Sequence, residues 1–179
     1  MNLFEKVYSL CTENHGLVTS SQTTALGVSR SEMARWTRAG RLARVGHGVY
    51  RVTQYPVSGE DAFAVAVAGL GRHAYLCGES VLALFDLAPT NPRFIHVAVP
   101  GRCRRRVDDG VKVERGSPGY EADIHDGMPV ERPADAIRRC IGRIMPERLE
   151  SAASEAFRRG LVAAAAERDA LLEEIRHVG

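Results

Sequence analysis

Two helix starts, written alike and ten residues apart, constrain this chain more than anything else in it. Thr19 with Gln22, and Ser29 with Glu32, each set a hydroxyl at a helix entry and a polar side chain three residues on that can bond back to the cap. Each segment then meets a glycine, Gly27 or Gly40, able to take the left-handed conformation that ends a helix. The spacing predicts one helix over 20–26 and another from Ser29 to about 39. Ahead of them Leu3, Phe4, Val7, Leu10 and Cys11 recur at helical period, which predicts an amphipathic first helix ending near Asn14-His15-Gly16. Two short helices across a glycine-containing turn make a helix-turn-helix.

The third helix has two faces. With a step of about 100° per residue, Met33 and Trp36 point toward the first two helices, while Ser31, Ala34, Arg35 and Arg38 point away. A small, basic outer face suits a helix in the DNA major groove, where arginine can fork onto guanine. Next, "RLARVGHGVYRV" carries Leu42, Val45, Val49 and Val52 on two short strands with Gly46-His47-Gly48 as the turn, a hairpin placed as a wing. Arg41, Arg44 and Arg51 lie on the wing and His47 at its tip. Residues 27–52 hold six arginines against one acid, a local +5 in a chain of net +2, so the remainder is −3. Such local basicity is the electrostatic footprint of a phosphate partner, although winged helices also serve as protein-docking modules.

No apolar run approaches the ~18 residues of a membrane span, and the first residues lack the pattern of a secretion signal, so a cytoplasmic protein without a membrane partner is expected. Cys11, Cys77, Cys103 and Cys140 form no CxxC pair and have no histidine at ligand spacing. We expect no metal and no cofactor, and reduced thiols, with Cys103 among arginines as the one to watch.

Beyond Tyr55-Pro56 the pattern changes. Ser58 with Asp61 predicts a helix with a stripe of Phe63, Val67 and Leu70, and residues 78–85 predict another. "RFIHVAVP" and "GVKVERG" read as strands and Met128–Val130 as a third; from Pro133 to His177 the chain reads as helical, broken at Pro146 and Gly160. The C-terminal Leu171, Leu172 and Ile175 pack on their own domain or form a homodimer contact. "GRCRRRVDDG", with Arg102, Arg104, Arg105 and Arg106, reads either as a solvated hairpin with local ion pairing or as a second basic patch for phosphate or for an acidic protein surface. No G-x-S-x-G, H-E-x-x-H or phosphate loop occurs, and His125-Asp126-Gly127 reads as a turn, so no catalytic residues and no enzyme are expected.

The segment "GLVTSSQTTALGVSRSEMARWTRAGRLARVGHGVYRV" resembles the N-terminal winged helix of the AbiEi antitoxin family. The matching positions are Gly16, Thr19, Gly27, Ser29, Arg30, Gly40, Leu42, Arg44, Val45, Gly48, Val49, Tyr50 and Arg51. "YLCGESVLALFDLAP", "FIHVAVPGRCRRR" and "IHDGMPVERPADAIRRC" follow the family's order more loosely. Two positions depart: His47 stands where arginine is frequent in the wing, and Asp86 where glycine is usual. The resemblance implies a bacterial toxin–antitoxin pair, an operon repressed through the winged helix, and a C-terminal domain countering a cognate nucleotidyltransferase-type toxin, in several systems without a stable complex. It also adds Ser29 and Arg30 to the DNA-facing set.

The sequence therefore predicts an α+β chain with a winged helix-turn-helix over 1–54 and a mixed α+β antitoxin domain with a small sheet and C-terminal helices over 57–179. Double-stranded operator DNA is the expected partner. The alternative is a ligand-responsive winged-helix regulator unrelated to a toxin.

Overall fold

A computed structural model describes residues 1–178. The chain begins with α1 (Leu3–Thr12), β1 (Leu17–Thr19), α2 (Ser20–Ala25), α3 (Arg30–Arg38), β2 (Leu42–Gly46) and β3 (Val49–Val52). Thr19 and Gln22 form the full reciprocal capping box, whereas Ser29 only accepts from the Glu32 N–H, at 3.1 Å. The Glu32 carboxylate instead accepts from Arg35 Nη2 at 2.7 Å, so the second box is half formed. Gly27 and Gly40 end their helices at φ of 80° and 70°, as expected.

Leu17–Thr19, immediately ahead of α2, is a strand. It joins the wing as a three-stranded sheet in the order β1-β3-β2. Gly16 makes that approach at φ 70°, with the Tyr55 ring packed where a side chain would begin, so no other residue fits there without displacing the ring. Val7, Cys11, Val18, Val28, Met33, Trp36, Leu42 and Val52 form the core of this unit. Val28 fills the turn between α2 and α3, its N–H bonded to the Thr23 carbonyl at 2.9 Å.

Then come α4 (Asp61–Leu70), β4 (Tyr75–Leu76), α5 (Glu79–Leu84), β5 (Ile95–Pro100), β6 (Val111–Gly116), β7 (Asp123–His125) and β8 (Met128–Val130). The chain closes with α6 (Pro133–Arg139), α7 (Pro146–Arg158) and α8 (Ala165–Val178). The second sheet runs β6-β5-β4-β8-β7. β5 and β6 pair in parallel, Ile95 opposite Val111 through Pro100 opposite Gly116, so residues 101–110 are a crossover and not the hairpin that two nearby strands suggested.

α4 reads "DAFAVAVAGL", apolar on almost every side, and such a helix needs cover all round. It lies between the wing sheet and the second sheet. Ala64, Ala66, Val67 and Leu70 are buried there, a wider face than the Phe63, Val67, Leu70 stripe, and Leu17 and Val49 of the winged helix share that cluster with Leu76, Val97 and Val130. A further core joins α5 and α6 to Leu149, Ala152, Ala153 and Ala156 of α7 and to Leu171 and Ile175 of α8. The helical stretch is interrupted where expected, before Pro146, which starts α7 at its first turn, and again at Gly160 beyond Arg158. The architecture is α+β, a winged helix followed by a mixed domain with C-terminal helices.

Candidate nucleic-acid interface

The winged helix is clamped before it presents anything. The wing turn is tied to α2 by the Ser20 N–H, which donates to the Gly48 carbonyl at 2.9 Å. The end of β3 is tied to the end of α3 by Thr53 Oγ1, which donates to the Gly40 carbonyl at 2.7 Å. Met33 and Trp36 are 7% and 3% exposed, so the inner face of α3 is fixed and its opposite face must meet solvent.

That outer face carries Arg30, Ser31, Ala34, Arg35 and Arg38, all exposed, spread over an arc of about 140° by the helical step. Ser29 caps the helix and its Oγ lies 2.9 Å from that of Ser31, a small polar edge at the α3 N-terminus. Arg30 and Arg38 have no carboxylate within ion-pair distance among the described residues, while Arg35 bonds Glu32. Exposed i,i+3 pairs are worth a few tenths of a kcal/mol, so a phosphate could displace Glu32 at small cost.

On the wing, Arg41 lies over the Phe4 ring, its Cζ 3.5 Å from the centroid, with its surface still exposed. Arg44 is exposed and reaches only the Gly46 carbonyl, at 3.4 Å. His47 is exposed at the tip, and the wing bulges between Arg44 and Gly46.

Arg51 differs from the expectation. Its Nη1 sits 3.0 Å from Asp61 Oδ2 and both side chains are 11% exposed, so it joins the wing to α4 and is not on the exposed surface of the wing. The reason is strand parity: Arg51 lies two residues from Val49 on β3 and shares its inward face. That signal stands in the sequence; the presence of an acid opposite it does not.

Arg102, Arg104, Arg105 and Arg106 are all exposed on the β5–β6 crossover. None pairs with a carboxylate among the described residues, Asp108 and Asp109 included, so the local ion pairing anticipated for this segment does not form.

Elsewhere the fold brings Glu60, His125 and Asp126 together, their ligand-type atoms within 4.8 Å of one another. His125 Nε2 lies 3.3 Å from Glu60 Oε1, and Asp126 and Gly127 form the β7–β8 turn at φ 46° and 82°. The turn reading of His125-Asp126 matches this hairpin; the approach of Glu60 from 65 residues away is not visible in sequence. A cleft of about 250 Å³ separates α2 from α4 and β8, with Gln22, Val67, Arg72 and Met128 among its walls. No described helix is long and apolar enough to cross a membrane.

Among curated proteins none matches this chain. The crystal structure of the RV2827C protein from Mycobacterium tuberculosis is similar at 17% identity over 96% of this chain and 81% of that one, with a TM-score of 0.37. Residues 11–53, which hold the capped helices, the basic outer face of α3 and the wing, match the family described as "Transcriptional regulator, AbiEi antitoxin", the family to which the "HGVYR" wing ending pointed.

Proposed function

We propose that the chain is the antitoxin of a bacterial toxin–antitoxin pair, binding operator DNA through α3 and the wing and repressing its own operon. Its second domain neutralises a nucleotidyltransferase-type toxin encoded alongside. The observation that carries the DNA reading is the outer face of α3: Arg38, exposed and without an acid among the described residues, stands opposite the buried Met33 and Trp36, and Arg30, likewise exposed and unpaired there, stands at the edge of that face. Ser29, Ser31 and Ala34 keep that face low enough for the backbone to approach base edges. Arg35, Arg41, Arg44 and His47 flank it as phosphate contacts. The toxin half rests on the family match alone.

The test is a salt series with the full chain on its own upstream DNA and on scrambled DNA of equal length. Three arginines at phosphates, Arg35, Arg41 and Arg44, give a slope of log K against log salt of about −3. Arg38→Ala should remove the preference for upstream DNA, whereas Arg44→Ala should weaken both duplexes alike and flatten the slope by about one. Equal, weak binding to both duplexes by the unaltered chain rejects the reading. The toxin half is tested by co-expressing the neighbouring gene: growth must be arrested by that gene alone and restored by the full chain.

The second reading, a ligand-responsive regulator, is favoured by the cleft between α2 and α4. At about 250 Å³ it lies below the usual ~300–1,000 Å³ of small-molecule sites, so only a small ligand would fit. A neighbouring gene without toxicity would turn the assignment toward it.

A further inference from the structure

The Arg102–Arg106 segment has a place in the fold that its sequence does not disclose. Parallel pairing of β5 with β6 makes residues 101–110 a crossover, and Cys103 and Val107 pin it by packing on the core around α4. Arg105 lies against the end of α4: its guanidinium is 3.3 Å from where a side chain on Gly71 would begin, and the C-terminal end of a helix favours a cation. The wing sits on the same helix, with Gly46 against Val65. Gly46 and His47 of the wing and Arg106 and Val107 of the crossover line one narrow crevice.

We propose that this crossover is a second phosphate-binding element, continuous with the wing tip, which extends the DNA footprint beyond the winged helix. Arg104 and Arg106 contact the backbone of flanking duplex, and Arg105 holds the loop on α4. The inference rests on the DNA reading above. Three observations carry it. The arginines are exposed and have no carboxylate partner among the described residues, although Asp108 and Asp109 follow within the same loop. The apolar residues on either side of them anchor the loop, so the charge is held in position. His47 and Arg106 share a crevice, so a duplex seated on the wing passes the crossover. Contacts of this kind position and add affinity; they carry no base specificity.

The experiment uses the full chain with two duplexes centred on the upstream site, one of about 12 base pairs, little more than a helical turn, and one of about 30. Arg104→Ala/Arg106→Ala is compared with Arg104→Lys/Arg106→Lys, each checked for an unchanged melting temperature. On the long duplex the alanine pair should lose about tenfold in affinity and about two from the salt slope, equally for upstream and scrambled sequence. On the short duplex it should match the unaltered chain, and the lysine pair should keep the slope on both. An unchanged slope on the long duplex, with the unaltered chain binding normally, overturns the crossover proposal and leaves the winged-helix reading intact. An unchanged slope with lost toxin neutralisation also overturns it and assigns the loop to a protein surface. Failure of the unaltered chain to bind either duplex overturns both.

Discussion

Arg51 on β3 and Asp61 on the first turn of α4 face each other at 3.0 Å, in a site where each side chain keeps 11% of its exposure. Arg51 Nε and Nη2 and Asp61 Oδ2 are buried without a hydrogen-bond partner among the described residues, so the guanidinium depends on the charge of this one carboxylate. The pair ties the wing to the helix beneath it and removes one of the six arginines of residues 27–52 from the exposed basic surface.

Breaking the pair should therefore cost stability and not DNA contact. Asp61→Ala leaves a desolvated cation, with an expected loss of about 3 kcal/mol. Arg51→Met/Asp61→Leu should recover most of it, because an apolar pair of similar volume needs no desolvation. Urea unfolding of the three chains reads the stability, and the salt slope of DNA binding by folded Arg51→Met/Asp61→Leu should equal that of the unaltered chain. A slope flattened by one would return Arg51 to the phosphate contacts.

Acid should loosen the second sheet at Glu114. Burial alone would raise this carboxyl, but hydrogen bonds from Arg143 Nη1 at 3.0 Å and His96 Nδ1 at 3.1 Å outweigh it and hold the group below the ordinary glutamate range. A depressed carboxyl contributes stability that is present above its unfolded pKa, near 4.5, and lost as pH falls through the lower folded value. Arg143→Ala should be less stable than the unaltered chain at pH 7, with the gap narrowing below about pH 4. A gap independent of pH would mean that Arg143 acts through packing alone.

The difference between what could and could not be read from the sequence follows the range of the interactions. Thr19, Gln22, Gly27, Ser29 and Gly40 act within a few residues, and the helices they delimit appear where their spacing puts them. β1 and β4 have three and two residues and exist only because distant strands pair with them. The parallel β5–β6 pairing is likewise nonlocal: residues 94–116 alone do not distinguish a hairpin from a crossover, and the place of four arginines depended on that choice. Glu32 shows the same limit at short range, since its carboxylate had two partners in reach, the Ser29 N–H and Arg35, and took the charged one.

Asp86 tests a backbone argument. It adopts φ 49° after α5, at the position where the resemblance placed glycine, and that left-handed conformation is one an aspartate tolerates better than most residues. Asp86→Gly should stay within about 0.5 kcal/mol of the unaltered chain, relief of strain being offset by a more flexible unfolded state. Asp86→Val should lose about 2 kcal/mol, since a β-branched side chain is penalised most there. Equal unfolding midpoints for the two variants would show that φ at this residue is not fixed by the fold.

The four cysteines divide by burial in a way that thiol chemistry can read. Cys11 and Cys140 are buried and pushed up to about 12, and burial also pushes Cys77 up. At pH 8 these three stay almost wholly protonated and behind core packing, whereas Cys103 is half-exposed on the crossover. A colourimetric disulfide reagent should therefore modify one thiol in the folded chain and four in denaturant, and peptide mapping should place the first on Cys103. In the presence of the long duplex that single reaction should slow, because DNA lying along the crossover covers its neighbours Arg104 and Arg106. Modification of Cys77 or Cys140 in the folded chain would contradict the packing around α5 and α6. Equal reactivity of Cys103 with and without DNA would place the duplex away from the loop, in agreement with an unchanged salt slope for the alanine pair.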